Sequence, residues 1–126
     1  DRNFKRAFAA IKRLENFYPD SPLVNSAWGQ YYLAAGENQE ALKYFQFILR
    51  KSFFTNYSLS LCYSKLGKID QALEFGRESF SLNNYYLPNI LQLAALYKQS
   101  GQIQLSDKFL SLADELDPKY KHCLFK

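Results

Sequence analysis

Apolar residues recur along this chain three and four positions apart, in stretches broken by short polar segments that contain glycine or proline. That interval keeps the apolar side chains on one face of an α-helix. The pattern predicts a lone helix over about 3–16, then three helix pairs: about 22–34 with 38–50, 53–65 with 69–81, and 87–99 with 103–115. A further helix opens at Pro118 and is cut short. Ser21-Pro22 supplies an N-cap followed by a proline at the first helical position. Pro19 and Pro118 end the helices before them.

The pairs repeat one another. Trp28–Gly36, Leu59–Gly67 and Leu93–Gly101 each hold a large apolar residue, a small one, a tyrosine three later and a glycine four after that. Five residues past each glycine comes another small residue: Ala41, Ala72, Ser106. Ala7 occupies the same place in a partial unit, so the spacings are 34, 31 and 34. Each glycine falls just past a helix, where the chain needs a left-handed residue to turn back. The small residues seven before and five after it face each other across the pair, letting the two backbones approach. Tyr32, Tyr63 and Tyr97 fill the space beside that contact.

On these residues the chain resembles the tetratricopeptide repeat family, over nearly its whole length. The resemblance implies an all-α fold, a right-handed α-solenoid of stacked antiparallel helix hairpins. It divides a single domain, 1–126, into a partial repeat at 1–21, repeats at 22–52, 53–86 and 87–120, and a truncated helix at 118–126. The sequence departs from the pattern in places. The link across Ile48–Asn56 is three residues short, which should tighten that stack. Phe53 and Asn84 stand where proline is usual, Ile48 replaces a small residue, and Gly76 replaces a bulky one within a helix. Phe45 or a nearby aromatic is expected to fill the notch at Gly76. The chain opens and closes in mid-repeat and lacks a starting methionine, so it reads as a piece of a longer protein.

Composition bounds the chemistry. At 126 residues, 48% apolar and 22% charged, the chain is long enough for one buried core. No stretch approaches the ~20 apolar residues of a membrane helix. Two cysteines, Cys62 and Cys123, are too few for a disulfide framework, and with a single histidine they form no metal-ligand spacing; a reducing, cytoplasmic setting follows. His122 and Cys123 point about 100° apart on a helix and make no dyad. Asp114, Glu115 and Asp117 read as a solvated helix end. No glycine-rich phosphate loop is present, and Asn56-Tyr57-Ser58 matters as a glycosylation triplet only in a secretory compartment. Catalysis, a cofactor and a metal are therefore not expected.

A net charge of +4 permits an acidic partner without requiring nucleic acid, which is not expected. Arg2, Lys5, Arg6, Lys12 and Arg13 lie on the first helix. Charge at this spacing can bind phosphates or an acidic membrane surface, but the ordinary reading is a solvent stripe, with Phe4, Ala7, Ala10, Ile11 and Leu14 facing the core. Eleven Phe, ten Tyr and one Trp exceed what a small core holds, so some are expected on a surface that meets something else. Phe53, Phe54 and the Tyr85-Tyr86 pair are candidates for such a patch, and could support homo-oligomers.

The resemblance also implies a concave, peptide-binding groove lined by the first helix of each pair. Transferred position by position, it comprises Leu23, Ser26, Gln30, Leu33 and Ala34; Phe54, Tyr57, Leu61, Ser64 and Lys65; and Pro88, Leu91, Ala95, Lys98 and Gln99. Phe54, Tyr57, Leu61 and Leu91 would anchor an apolar segment, with Gln30, Lys65 and Lys98 setting register and taking acidic groups. The members that clamp a terminal carboxylate use Lys, Asn and Arg where this chain has Ser26, Gln30, Ser58, Pro88 and Gln92. That mode is not expected. The function so implied is a non-catalytic protein–protein interaction scaffold supporting a multiprotein complex. The alternatives are a bacterial secretion-type chaperone for an exported protein and a substrate-recruiting or oligomerising arm of a larger enzyme.

Overall fold

A computed structural model describes residues 2–118. It contains seven α-helices among the described residues: α1 (Arg2–Phe17), α2 (Pro22–Ala34), α3 (Asn38–Gln46), α4 (Phe53–Lys65), α5 (Ile69–Leu82), α6 (Leu87–Gln99) and α7 (Ile103–Leu116). The helix expected from Pro118, and His122 with Cys123, lie outside the described residues. The chain divides into two compact units, Asp1–Lys51 and Ser52–Lys126, and the boundary falls in the shortened link.

Each pair turns in the same way. Gly36, Gly67 and Gly101 have φ of +80°, +78° and +83°. The amide after each glycine donates to the carbonyl of the repeated tyrosine: Glu37 to Tyr32 (2.9 Å), Lys68 to Tyr63 (2.8 Å) and Gln102 to Tyr97 (2.8 Å). The glycine amide donates to the carbonyl three residues back, at 3.1 Å each time. These two bonds close the helix end, and they need the left-handed residue between them.

The small residues are buried between the helices of each pair, and in two pairs they meet as expected. Gly29 and Ala41, Ser60 and Ala72, and Ala94 and Ser106 are all buried. Two of the contacts carry a hydrogen bond: Ser60 Oγ donates to the Ala72 carbonyl (2.7 Å) and Ser106 Oγ to the Ala94 carbonyl (2.8 Å). Beside each contact the repeated tyrosine stacks on an aromatic of the second helix. Tyr32 lies on Tyr44, Tyr63 on Phe75 and Tyr97 on Phe109, with centroids 5.6, 5.4 and 5.5 Å apart. Those partners stand eight residues after each glycine, a further regularity of the sequence.

Four expectations change. First, α3 ends at Gln46 instead of running to residue 50. Ser52 caps α4 through its Oγ, which accepts from the Thr55 amide at 3.2 Å, and so sets where α4 begins. The missing residues come out of α3, leaving Phe47 and Leu49 exposed at either side of buried Ile48. Second, Phe45 does not fill the space beside Gly76. A Cβ there would meet Leu93 Cδ2 at 2.8 Å and Ser60 Oγ at 3.2 Å, so Leu93 and Ser60 occupy the notch; Phe45 instead lies against Gly29. Third, α1 packs on α2 alone and holds no fully buried residue: Phe4, Ile11 and Leu14 are half-buried, while Ala7 and Ala10 are exposed. Fourth, α4 buries Thr55, Asn56 and Ser58 beside the expected Ser60, polar residues the apolar pattern had left outside.

Within the unit from Ser52 on, the helices form two layers. α4 touches α6, while the backbones of α5 and α7 stay apart and are bridged by Phe80 on Phe109, with centroids 5.2 Å apart. Buried polar groups bind the layers together: Ser79 Oγ donates to the Phe53 carbonyl (2.7 Å) and Asn89 Nδ2 to the Gly76 carbonyl (2.9 Å). A missing side chain at Gly76 thus lets α6 reach the α5 backbone.

Candidate protein-interaction surface

The residues expected to line a groove fall on α2, α4 and α6. On α2, Leu23 is 65% exposed and Ser26, Gln30 and Leu33 are half-buried. Gln30 borders a shallow depression of about 320 Å³ with Phe4, Ala7, Ile11, Ala27, Tyr31 and Ala34. The floor of this depression is apolar because α1 covers α2 incompletely. Behind it Trp28 is buried, and its Nε1 donates to Glu15 Oε2 of α1 at 3.0 Å.

In the second unit, α4 and α6 bring together the other expected residues. Phe54 is exposed, Tyr57, Leu61 and Leu91 are half-buried, and Lys65 and Lys98 are exposed near the turn ends of their helices. Phe54 and Tyr57 do not stand alone. Tyr86 meets Phe53, Phe54 and Tyr57 edge-on at 5.1, 6.3 and 5.2 Å between centroids, and Phe54 lies 6.3 Å from Tyr57. Edge-to-face rings of this kind hold one another in place. Tyr57 is therefore partly a packing residue, whereas Phe54 and the 76%-exposed Tyr85 offer more open aromatic surface. Tyr86 was absent from the expected lining. The signal for it was its position just before the proline-initiated helix α6, next to the start of the aromatic α4.

The remaining candidate chemistry is quiet. Cys62 is fully buried, and burial pushes its thiol up to about 11, away from nucleophilic use. Asn56 is buried and its Nδ2 donates to the Ser52 carbonyl at 3.1 Å, so the amide of the Asn56-Tyr57-Ser58 triplet is engaged in the fold. Among the described residues no three His, Cys, Asp or Glu side chains gather to hold a metal. None of their helices is long and apolar enough to cross a membrane.

The tetratricopeptide repeat model matches residues 55–86 and 88–120, more than half of the chain. This chain belongs to the tetratricopeptide repeat family. Its fold is similar to that of MamA (TM-score 0.80, 18% identity, covering 91% of this chain and 69% of that one). It is similar also to YrrB, described as a tetratricopeptide protein with an unusual peptide-binding site (TM-score 0.78, 18% identity, 93% and 62%). A third similar structure is PcrH in complex with the chaperone binding region of PopB (TM-score 0.72, 21% identity, 78% and 82%). Among curated proteins, the transcription factor tau 131 kDa subunit of Saccharomyces cerevisiae is 28% identical over 139 residues. That match takes in 88% of this chain but only 13% of the relative's length. Tetratricopeptide folds of this kind serve as protein–protein interaction scaffolds.

Proposed function

We propose that this tetratricopeptide segment is a non-catalytic docking element of a multiprotein assembly, and that it grips a partner polypeptide on the α4–α6 face. The observation that carries this reading is the pairing of open aromatic surface with cations on those two helices. Phe54 on α4 is exposed beside the Tyr57–Tyr86 rings, Tyr85 is exposed in the connection that leads into α6, and Lys65 and Lys98 stand exposed at the turn ends. Rigid rings bury large area at small entropic cost, and the ammonium groups select acidic residues beyond them. Leu61 and Leu91 lie half-buried between these two features and suit apolar anchors. Leu23, Ser26, Gln30 and Leu33 on α2 offer a contact surface of the first unit. The likeness to a subunit of a transcription factor supports a place in a large assembly. The named peptide-binding site of YrrB and the PopB-bound state of PcrH support the use of this fold to hold a segment of another protein.

The test is affinity capture from an extract of the source organism, repeated with Phe54→Ala and with Lys65→Glu/Lys98→Glu. Both alter exposed side chains and leave the helix ladders intact. Loss of the same captured protein with both variants, at unchanged helix content, is the expected result. A partner retained equally by all three proteins would remove the assignment.

A further inference from the structure

The outer face of α1 presents a continuous strip of positive charge that the interaction surface above does not use. α1 holds five cations against one carboxylate, an excess as large as the formal +4 of the whole chain. At 100° per residue, Arg2, Lys5, Arg6, Lys12 and Arg13 fall within an arc of about 120° centred on Ala9, along a helix about 24 Å long. All five are exposed. Lys12 approaches Glu15 (3.7 Å) and the rings of Phe8 and Trp28 (5.9 and 6.0 Å). Arg2, Lys5, Arg6 and Arg13 make no ion pair among the described residues.

The opposite side of the helix faces α2, which covers it in part. Phe4, Phe8, Ile11 and Leu14 point toward α2, with Phe4 and Phe8 edge-on to Tyr31 at 5.6 and 5.9 Å. Ala7, the counterpart of Ala41 and Ala72, which are buried against partner helices, also lies on that side. A helix docking over Ala7 would leave the strip open.

The composition of the strip identifies its partner. Its centre is Ala9, and no large apolar side chain interrupts it. Protein interfaces draw their energy from a desolvated, charge-poor centre, which is missing here. Isolated exposed pairs with carboxylates contribute little. A membrane-binding helix needs its large apolar side chains free to insert, and on α1 Phe4, Ile11 and Leu14 are half-buried while the Phe4 and Phe8 rings pack on Tyr31. A polyanion of high linear charge density is different. Binding to it is driven by release of condensed counterions, which needs cations in a row and no apolar anchor. We propose that the α1 strip binds the phosphate backbone of a nucleic acid duplex, without sequence preference. Net charge alone gave no reason to expect nucleic acid; the crowding of that charge on one helix face does.

The test is fluorescence anisotropy of the 126-residue chain with a labelled 20-base-pair DNA duplex of mixed sequence, titrated between 50 and 200 mM salt. Four or five phosphate contacts predict a log–log salt slope of about −4. Arg6→Glu/Arg13→Glu should weaken binding more than tenfold at 50 mM salt and flatten the slope by about two. The matched double reversal Arg77→Glu/Lys108→Glu on α5 and α7 should change affinity less than threefold. A scrambled duplex should bind within twofold of the first. Circular dichroism confirms that both variants keep their helices. Absence of duplex binding up to 100 μM protein at 50 mM salt overturns the proposal, and so does an equal loss in the two double variants. Binding to phosphatidylserine vesicles, or to a poly-glutamate chain, more tightly than to the duplex also overturns it.

Discussion

Gly29→Ala tests the claim that helix pairs nest through missing side chains. Gly29 is buried on α2, and a Cβ built there would lie 2.6 Å from Phe45 Cε1 and Cζ and 2.8 Å from Cε2. The ring of Phe45 is fully buried, so it has no free space to swing into. Forcing an extra methyl into a filled core typically costs 1–3 kcal/mol. Alanine returns about 1 kcal/mol through its better helix propensity. Contacts as short as 2.6 Å with a ring that cannot move place the cost of the methyl in the upper half of its range, so the net expectation is a loss of about 1–2 kcal/mol. Trp28 is the single tryptophan of the chain and adjoins the site, so its fluorescence during urea unfolding reports on this unit. With a urea slope of about 1–2 kcal/mol/M, the midpoint should fall by roughly 1 M. Shrinking the ring relieves the overlap. In Gly29→Ala/Phe45→Leu the loss should therefore be smaller than the sum of the single losses, by about 1 kcal/mol. An unchanged or raised midpoint for Gly29→Ala, or strict additivity in the cycle, would refute the reasoning.

Other expectations follow from the same contacts. Gly76→Ala should cost less than Gly29→Ala, near zero to about 1 kcal/mol in chemical denaturation, because the atom it meets is the end of the Leu93 side chain and the helix gains propensity. Gly67→Ala has open space around its Cβ but a φ of +78°, so it should destabilise by about 1 kcal/mol through backbone strain alone. Cys62 should resist alkylation at neutral pH and react on unfolding. Its folded-state pKa is raised from about 9 to about 11, so the neutral thiol's contribution is complete below pH 9 and is lost as pH rises toward 11. Cys62→Ala should lessen that alkaline loss in a stability-against-pH series. Tyr57→Ala should weaken partner binding by about 1–2 kcal/mol. Because Tyr57 packs on Tyr86, it should also lower thermal stability, which Lys65→Glu should not.

The helices were legible because repeated punctuation marks them. Gly36, Gly67 and Gly101 can close a helix only in the left-handed region, and the small residues on either side can be read as contacts without coordinates. The end of α3 was not legible. A 31-residue spacing shows that something is shortened, but only the Ser52 cap shows that α3 gives way and not α4. The buried polar run of α4 was hidden for a related reason. Asn56 looks like a surface residue until its acceptor, the Ser52 carbonyl, is in place. α4 and α6, the helices that carry the expected lining residues of the second unit, touch each other. The sequence groups Tyr86 with Phe53 and Phe54 as an aromatic patch, but the closing of its ring on Tyr57 depends on where the α5–α6 connection passes. The excess charge on α1 was visible in the sequence, but its lack of ion pairing among the described residues was not.

Photo-crosslinking decides which face holds the partner. A benzophenone side chain placed at Lys65 or at Lys98 should crosslink to one and the same segment of the captured protein. The same group at Glu74 on α5 or Asp107 on α7, both exposed, should give none. Crosslinks confined to the α5 and α7 positions would contradict the proposed binding face and place the partner on the other layer.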